Sequence, residues 1–82
     1  MSIEIKLSEV TGLRLKEFRT QYKVKAKDVA EMLGKSPAYI SKLEKGQIQQ
    51  IDKIEFEKIL NFIANDDDGI IDFLKNLQRE RI

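Results

Sequence analysis

Apolar and polar residues alternate with different periods along this 82-residue chain, and each period names an element. From Met1 to Leu7 the period is two: Ile3, Ile5 and Leu7 stand against Ser2, Glu4 and Lys6, the pattern of a short strand or extended arm with one buried face. A lone strand needs a partner. The β-branched, uncapped segment Gln47–Ile51 is one candidate, and exchange with a second subunit is the alternative. The period then changes to that of a helix. Leu15, Phe18 and Tyr22 recur at i, i+3, i+7, so a first helix should begin after Ser8 or Thr11 and run to about Tyr22. Val29, Ala30 and Leu33 define a second over about 26–33, which Gly34 ends by adopting positive φ. Ser36 is an N-cap and Pro37 a first helical residue for a third helix over 37 to 44 or 45, stopped by Gly46. Ile40 and Leu43 give that helix a narrow apolar face. Asp52 with Glu55 makes a capping box for a fourth helix, in which Ile59, Leu60 and Ile63 form the core face, Phe56 and Phe62 flank it, and Asn65 marks the end. Ile70, Ile71, Phe73, Leu74 and Leu77 place a fifth helix over about 69–82, with a face broader than a small bundle needs. The core of the pattern is the stretch 24–46, two short helices joined by a tight turn.

Composition narrows what such a chain can do. Its length allows one domain with one core, 1–82, and there is no internal repeat or low-complexity linker. It has no cysteine and no histidine. Disulfides, thiolate metal sites and the commonest general base are therefore excluded, and with no glycine-rich phosphate loop or paired carboxylates an enzyme is not expected. No cofactor is implied. The cluster Asp66–Asp68 before Gly69 invites a calcium-loop reading. Aligning Gly69 with that loop's glycine puts Ala64 and Lys75 at two ligand positions, so no metal is expected and the acids are read as helix caps. No apolar run is long enough for a membrane span and no signal pattern opens the chain, so a cytoplasmic location is expected. The chain stops in mid-helix without a stop signal, the pattern expected of the N-terminal domain of a longer protein.

The net charge of +1 hides a segregation. Residues 13–50 hold nine Lys/Arg against four Asp/Glu, a local +5, whereas residues 51–82 hold five against eight, a local −3. The basic part coincides with the two-helix unit, and a positive field of this kind suits a polyanion, because neutralising phosphates releases counterions.

From Gly12 to Ala64 the chain resembles the lambda-repressor/Cro-like (XRE-type) helix-turn-helix domain. The resemblance is carried by Gly12-x-x-Leu15-Lys16-x-x-Arg19 in the first helix and by Val29-Ala30-x-x-Leu33-Gly34-x-Ser36-x-x-Tyr39-Ile40-Ser41-Lys42-Leu43-Glu44-x-Gly46. Lys58-Ile59-Leu60 and Ile63 continue it in the fourth helix. It implies an all-α, five-helix lambda-repressor-like bundle, here with the N-terminal strand or arm added. It also implies that Arg19 and Glu44 form a partly buried, bidentate structural salt bridge. As a member of this family the chain would be a transcriptional regulator, a repressor by expectation, that binds double-stranded DNA as a homodimer with its third helix in the major groove. The last helix or a further C-terminal part would supply dimerisation.

Within that frame Lys42 is the candidate for reading guanine O6 or N7, with Ser41 second, and Ala38 offers a methyl contact to thymine. Ser36, Tyr39 and Lys45 suit phosphates, with Lys35, Lys25 and Lys27 as peripheral electrostatic contacts and the second helix's N-terminus facing a phosphate. Two departures stand out. Relatives carry a phosphate-touching glutamine where this chain has Ala26, and Pro37 and Ala38 occupy base-reading positions without a hydrogen-bonding side chain. The plainer readings are that Tyr39 packs on the domain, that Lys42 touches phosphate only, and that Lys25, Lys27 and Lys35 are solvated surface lysines. The weak base-reading residues also support an alternative function, a protein-interaction adaptor or antitoxin built on the same fold.

Overall fold

The computed structural model describes residues 3–79. Over that span the chain forms β1 (Glu4–Lys6), α1 (Glu9–Gln21), α2 (Ala26–Leu33), α3 (Pro37–Glu44), β2 (Gln50–Asp52), α4 (Lys53–Ile63) and α5 (Asp67–Arg79). Met1, Ser2 and residues 80–82, which the periodicity includes in the strand and the last helix, lie outside the described residues.

Local chemistry sets the helix starts. Ser8, not Thr11, caps α1: its hydroxyl accepts the Thr11 N–H at 3.2 Å while the Thr11 hydroxyl accepts the Ser8 N–H, a reciprocal capping box. Asp52 accepts the N–H groups of Ile54 and Glu55 at the start of α4. The Glu55 carboxylate, expected to reach back to Asp52, lies instead 3.9 Å from the Lys35 ammonium. Ser36 has the extended backbone of an N-cap, yet its hydroxyl makes no capping bond to α3. The helix α5 begins two residues before the expected Gly69 because the Asp66 carboxylate accepts the Gly69 N–H, leaving Asp67 and Asp68 in the first turn at the positive helix end.

The first three helices end in the same way. After α2, the N–H groups of Gly34 and Lys35 donate to the carbonyls of Glu31 and Ala30, and after α3 those of Gly46 and Gln47 donate to Leu43 and Lys42. These are paired reverse bonds around a left-handed residue. Gly34 and Gly46 take φ of 69° and 76°. At the end of α1 the same two bonds, Lys23 to Thr20 and Val24 to Arg19, close around Lys23 at φ 59°, a position where glycine is usual.

The N-terminal strand finds its partner within the chain. It pairs antiparallel with β2, with Glu4 opposite Asp52, Ile5 opposite Ile51 and Lys6 opposite Gln50, so the paired segment begins later than Gln47. Leu15, Val29, Ile40, Leu43 and Ile59 make the centre of the core, and Phe18, Ala30, Ile51, Phe56, Leu60, Ile63, Ala64 and Phe73 complete it. The last helix docks through Phe73, whose ring stacks on Phe18 at 4.8 Å and lies 6.5 Å from Phe56. The broad face of α5 is only partly used: Ile70 and Leu77 pack against the core, but Ile71 and Leu74 remain exposed. Phe62, expected beside the core, is 42% exposed. A buried Gly12 lets α1 cross α3 at backbone contact, since a Cβ there would strike the Leu43 carbonyl and come within 2.9 Å of that of Glu44.

The helix ends give a stability series. Lys23→Gly is expected to raise stability by about 0.5–1 kcal/mol, because a left-handed non-glycine residue costs about 1–2 kcal/mol and glycine returns part of that as chain entropy. Gly34→Ala should lower stability by about 1 kcal/mol through backbone conformation alone, since nothing lies within 4 Å of its added methyl. Gly46→Ala should cost more, because its methyl would lie 2.9 Å from the Glu9 Cα. Urea midpoints with unchanged m-values check the order; a neutral or harmful Lys23→Gly would contradict it.

Candidate nucleic-acid interface

The Gly34 turn directs α3 across the domain so that one side of it is anchored and the other is open. Ile40 and Leu43 are 1% exposed, and Ala30 of α2 beneath them is 0% exposed, small enough for the two helices to meet closely. Pro37, Ala38, Lys42 and Lys45 are exposed and Ser41 is half-buried, so the outer face of α3 is small, polar and basic. Ser36 is exposed just before it. Lys25 and Lys27 are exposed at the start of α2, where Lys25 occupies the N-cap position without a side-chain capping bond.

The far end of α3 is clamped. Arg19 Nε donates to Glu44 Oε2 at 2.7 Å and Nη2 donates to Oε1 at 3.0 Å. The third arm, Nη1, donates to the Val24 carbonyl at 2.8 Å, tying the α1–α2 connection into the same centre. Both side chains are largely shielded, at 14% and 7% exposure. The hydrogen bonds to Glu44 hold the guanidinium pKa above its ordinary value, against the opposing effect of burial.

Tyr39 and Lys35 are arranged differently from the rest of the surface. The Lys35 ammonium lies 5.1 Å from the centre of the Tyr39 ring, and the Glu55 carboxylate of α4 faces both. Burial, then the charge of Glu55 and a hydrogen bond to it, then Glu4, push the Tyr39 hydroxyl pKa up. The structure therefore brings Ser36, Pro37, Ala38, Ser41, Lys42 and Lys45 onto one open face. Lys25 and Lys27 sit on the neighbouring helix, and Lys35 and Tyr39 are held against an acid. Glu55 is the neighbour that sequence reasoning missed. Its spacing from Asp52 matched a local cap, and no local pattern points to a contact with Lys35.

Two short helices joined by a glycine turn, the second lying open and basic on a buried anchor, define a helix-turn-helix domain of the kind that enters DNA grooves. A family model described as Helix-turn-helix matches residues 15–66, more than half of the chain, and the protein belongs to this XRE/lambda-repressor-like family of DNA-binding regulatory domains. The comparisons with curated proteins and with solved structures gave no match. Among the described residues no helix is long and apolar enough to cross a membrane.

Removing one member of the clamp strands the other in a shielded site. Arg19→Met is expected to cost about 3 kcal/mol or more, as breaking a buried pair does. Lys53→Ala, which removes an exposed 3.6 Å pair with Glu57, should change stability by less than about 0.5 kcal/mol. Equal losses in urea denaturation would show that the clamp is only a surface pair.

Proposed function

We propose that the protein is a sequence-specific double-stranded DNA-binding transcriptional regulator that inserts α3 in the major groove, binds as a homodimer, and represses in the cytoplasm by occupying its operator. The observation that carries this reading is the outer face of α3: Ala38, Lys42 and the C-cap Lys45 are exposed and Ser41 is half-buried, on a helix anchored on its other side by the buried Ile40 and Leu43. Lys42 reads guanine O6 or N7, with Ser41 beside it and Ala38 against a thymine methyl. Ser36, Tyr39 and Lys45 hold phosphates, with Lys35, Lys25 and Lys27 supplying peripheral charge. The hydroxyl of Ser36, not used in capping, supports its assignment, while the Tyr39 hydroxyl must exchange its hydrogen bond to Glu55 for one to phosphate.

A second reading, a protein-binding adaptor or antitoxin, is favoured by Pro37 and Ala38, which cannot hydrogen-bond a base edge. It predicts partner binding that survives moderate salt, whereas duplex binding should weaken steeply as salt rises.

Selection from a randomised duplex library tests the proposal. Lys42→Ala should cost about 1–3 kcal/mol on the selected site and relax one position, while Lys45→Ala should weaken all sequences alike and reduce the salt slope by about 1. Glu55→Gln should tighten binding to any duplex a few-fold by releasing Lys35 and Tyr39 toward phosphate. No enriched motif together with an inert Lys42→Ala would overturn the reading.

A further inference from the structure

Among the described residues the sheet has two strands, so β1 keeps an open edge. The Leu7 N–H donates to the Gln49 carbonyl at 2.8 Å and the Lys53 N–H donates to the Ile3 carbonyl at 2.7 Å. Because backbone groups alternate along an antiparallel strand, Ile3, Ile5 and Leu7 turn theirs toward β2, and Glu4 and Lys6 turn theirs outward. Beside this edge lies an apolar cleft of about 750 Å³ between β1, α4 and α5, with Leu7, Val10, Leu60 and Leu74 among its walls. Val10 and Leu74 are 41% exposed and Ile3, at the end of the edge, is 61% exposed.

The edge is complementary to itself. A two-fold axis through Ile5 sets Glu4 opposite Lys6 of a second copy and Lys6 opposite its Glu4, each pair exchanging both outward main-chain hydrogen bonds. The same axis sets Ile5 against Ile5 as a close pair without hydrogen bonds, and Ile3 against Leu7. Within its own chain Glu4 stands opposite Asp52, a like-charge pair that is unfavourable across a sheet. The second copy supplies the cation that this row lacks.

We propose that β1 is a homodimer seam: a second copy of this chain adds its β1 antiparallel to the open edge, forming one continuous sheet and covering Ile3, Val10 and Leu74. This rests on the reading of the protein as a dimeric DNA binder and names the surface that joins the copies.

Sedimentation equilibrium of the full chain without DNA tests it. Lys6→Pro deletes only an outward N–H and leaves the β1–β2 bonds in place, as proline on an edge strand can. It should weaken self-association about tenfold or more, and so should Glu4→Lys and Lys6→Glu, each of which makes like-charge pairs across the axis. The double variant Glu4→Lys/Lys6→Glu should restore it. Glu4→Lys also relieves the contact with Asp52, so its urea midpoint should hold or rise, separating loss of the dimer from loss of the fold. A chain that stays monomeric even on a palindromic duplex, or a dimer indifferent to all these variants, overturns the seam. Binding of the monomeric variants to half-site duplex is read separately. Its absence alongside the expected sedimentation pattern would overturn the DNA reading and leave the seam standing.

Discussion

The position of α3 depends on one ion pair. An eight-residue helix has little stability of its own, so its orientation comes from what holds it. Ile40 and Leu43 anchor one side, but apolar contacts permit sliding and rotation. Arg19 does not: its planar guanidinium fits Glu44 in two bonds and the Val24 carbonyl in a third, which fixes both the angle and the depth of α3's last turn. A partly buried pair contributes little net stability after desolvation, so geometry is its main contribution. Gly12 belongs to the same device. Only without a Cβ does α1 approach the Leu43 and Glu44 carbonyls closely enough for Arg19 to reach.

The sequence made the helix boundaries legible where one residue has one local conformational role. Gly34 and Gly46 demand positive φ, and Pro37 is tolerated at only one end of a helix, so α2 and α3 could be bounded closely from these residues alone. Legibility failed where a side chain had two partners to choose from. Glu55 suits a capping box and also an ion pair, and the tertiary neighbour Lys35 prevails. Ser36 suits a cap, yet its hydroxyl makes no capping bond. Periodicity likewise names an apolar face without saying how much of it is covered: Phe62, Ile71 and Leu74 share faces with buried residues but stay exposed. The outer face of α3 was legible as a surface, because Ile40, Leu43 and the clamped Glu44 define its anchored side. What each of its side chains touches is a tertiary matter.

The acidic neighbours of the basic face have a physical use. Lys35 and Tyr39 face Glu55, with Glu4 adding to the local negative field. A phosphate approaching them must replace an existing carboxylate rather than meet a bare cation. That lowers the strength of purely electrostatic contact at this end of α3, while Lys42 and Lys45, further along, are exposed. The charge segregation of the sequence is therefore finer than a basic half and an acidic half: α4 carries acid up to the edge of the basic face.

On the proposed reading this bears on how one sequence is told from another. Pro37 and Ala38 lack hydrogen-bonding side chains, so the first turn of α3 discriminates through shape and methyl contact, and Lys42 and Ser41 carry what direct readout there is. Phosphate contacts from Ser36, Tyr39 and Lys45 set the register of the helix on the backbone without reading bases. A protein so equipped depends on how readily the duplex conforms to a rigidly held helix, which varies with sequence at positions the protein never touches. The rigidity of the Arg19–Glu44 clamp is then part of specificity. A helix that could rotate would accept many duplex shapes, whereas a helix fixed at both its turn and its last carboxylate accepts few.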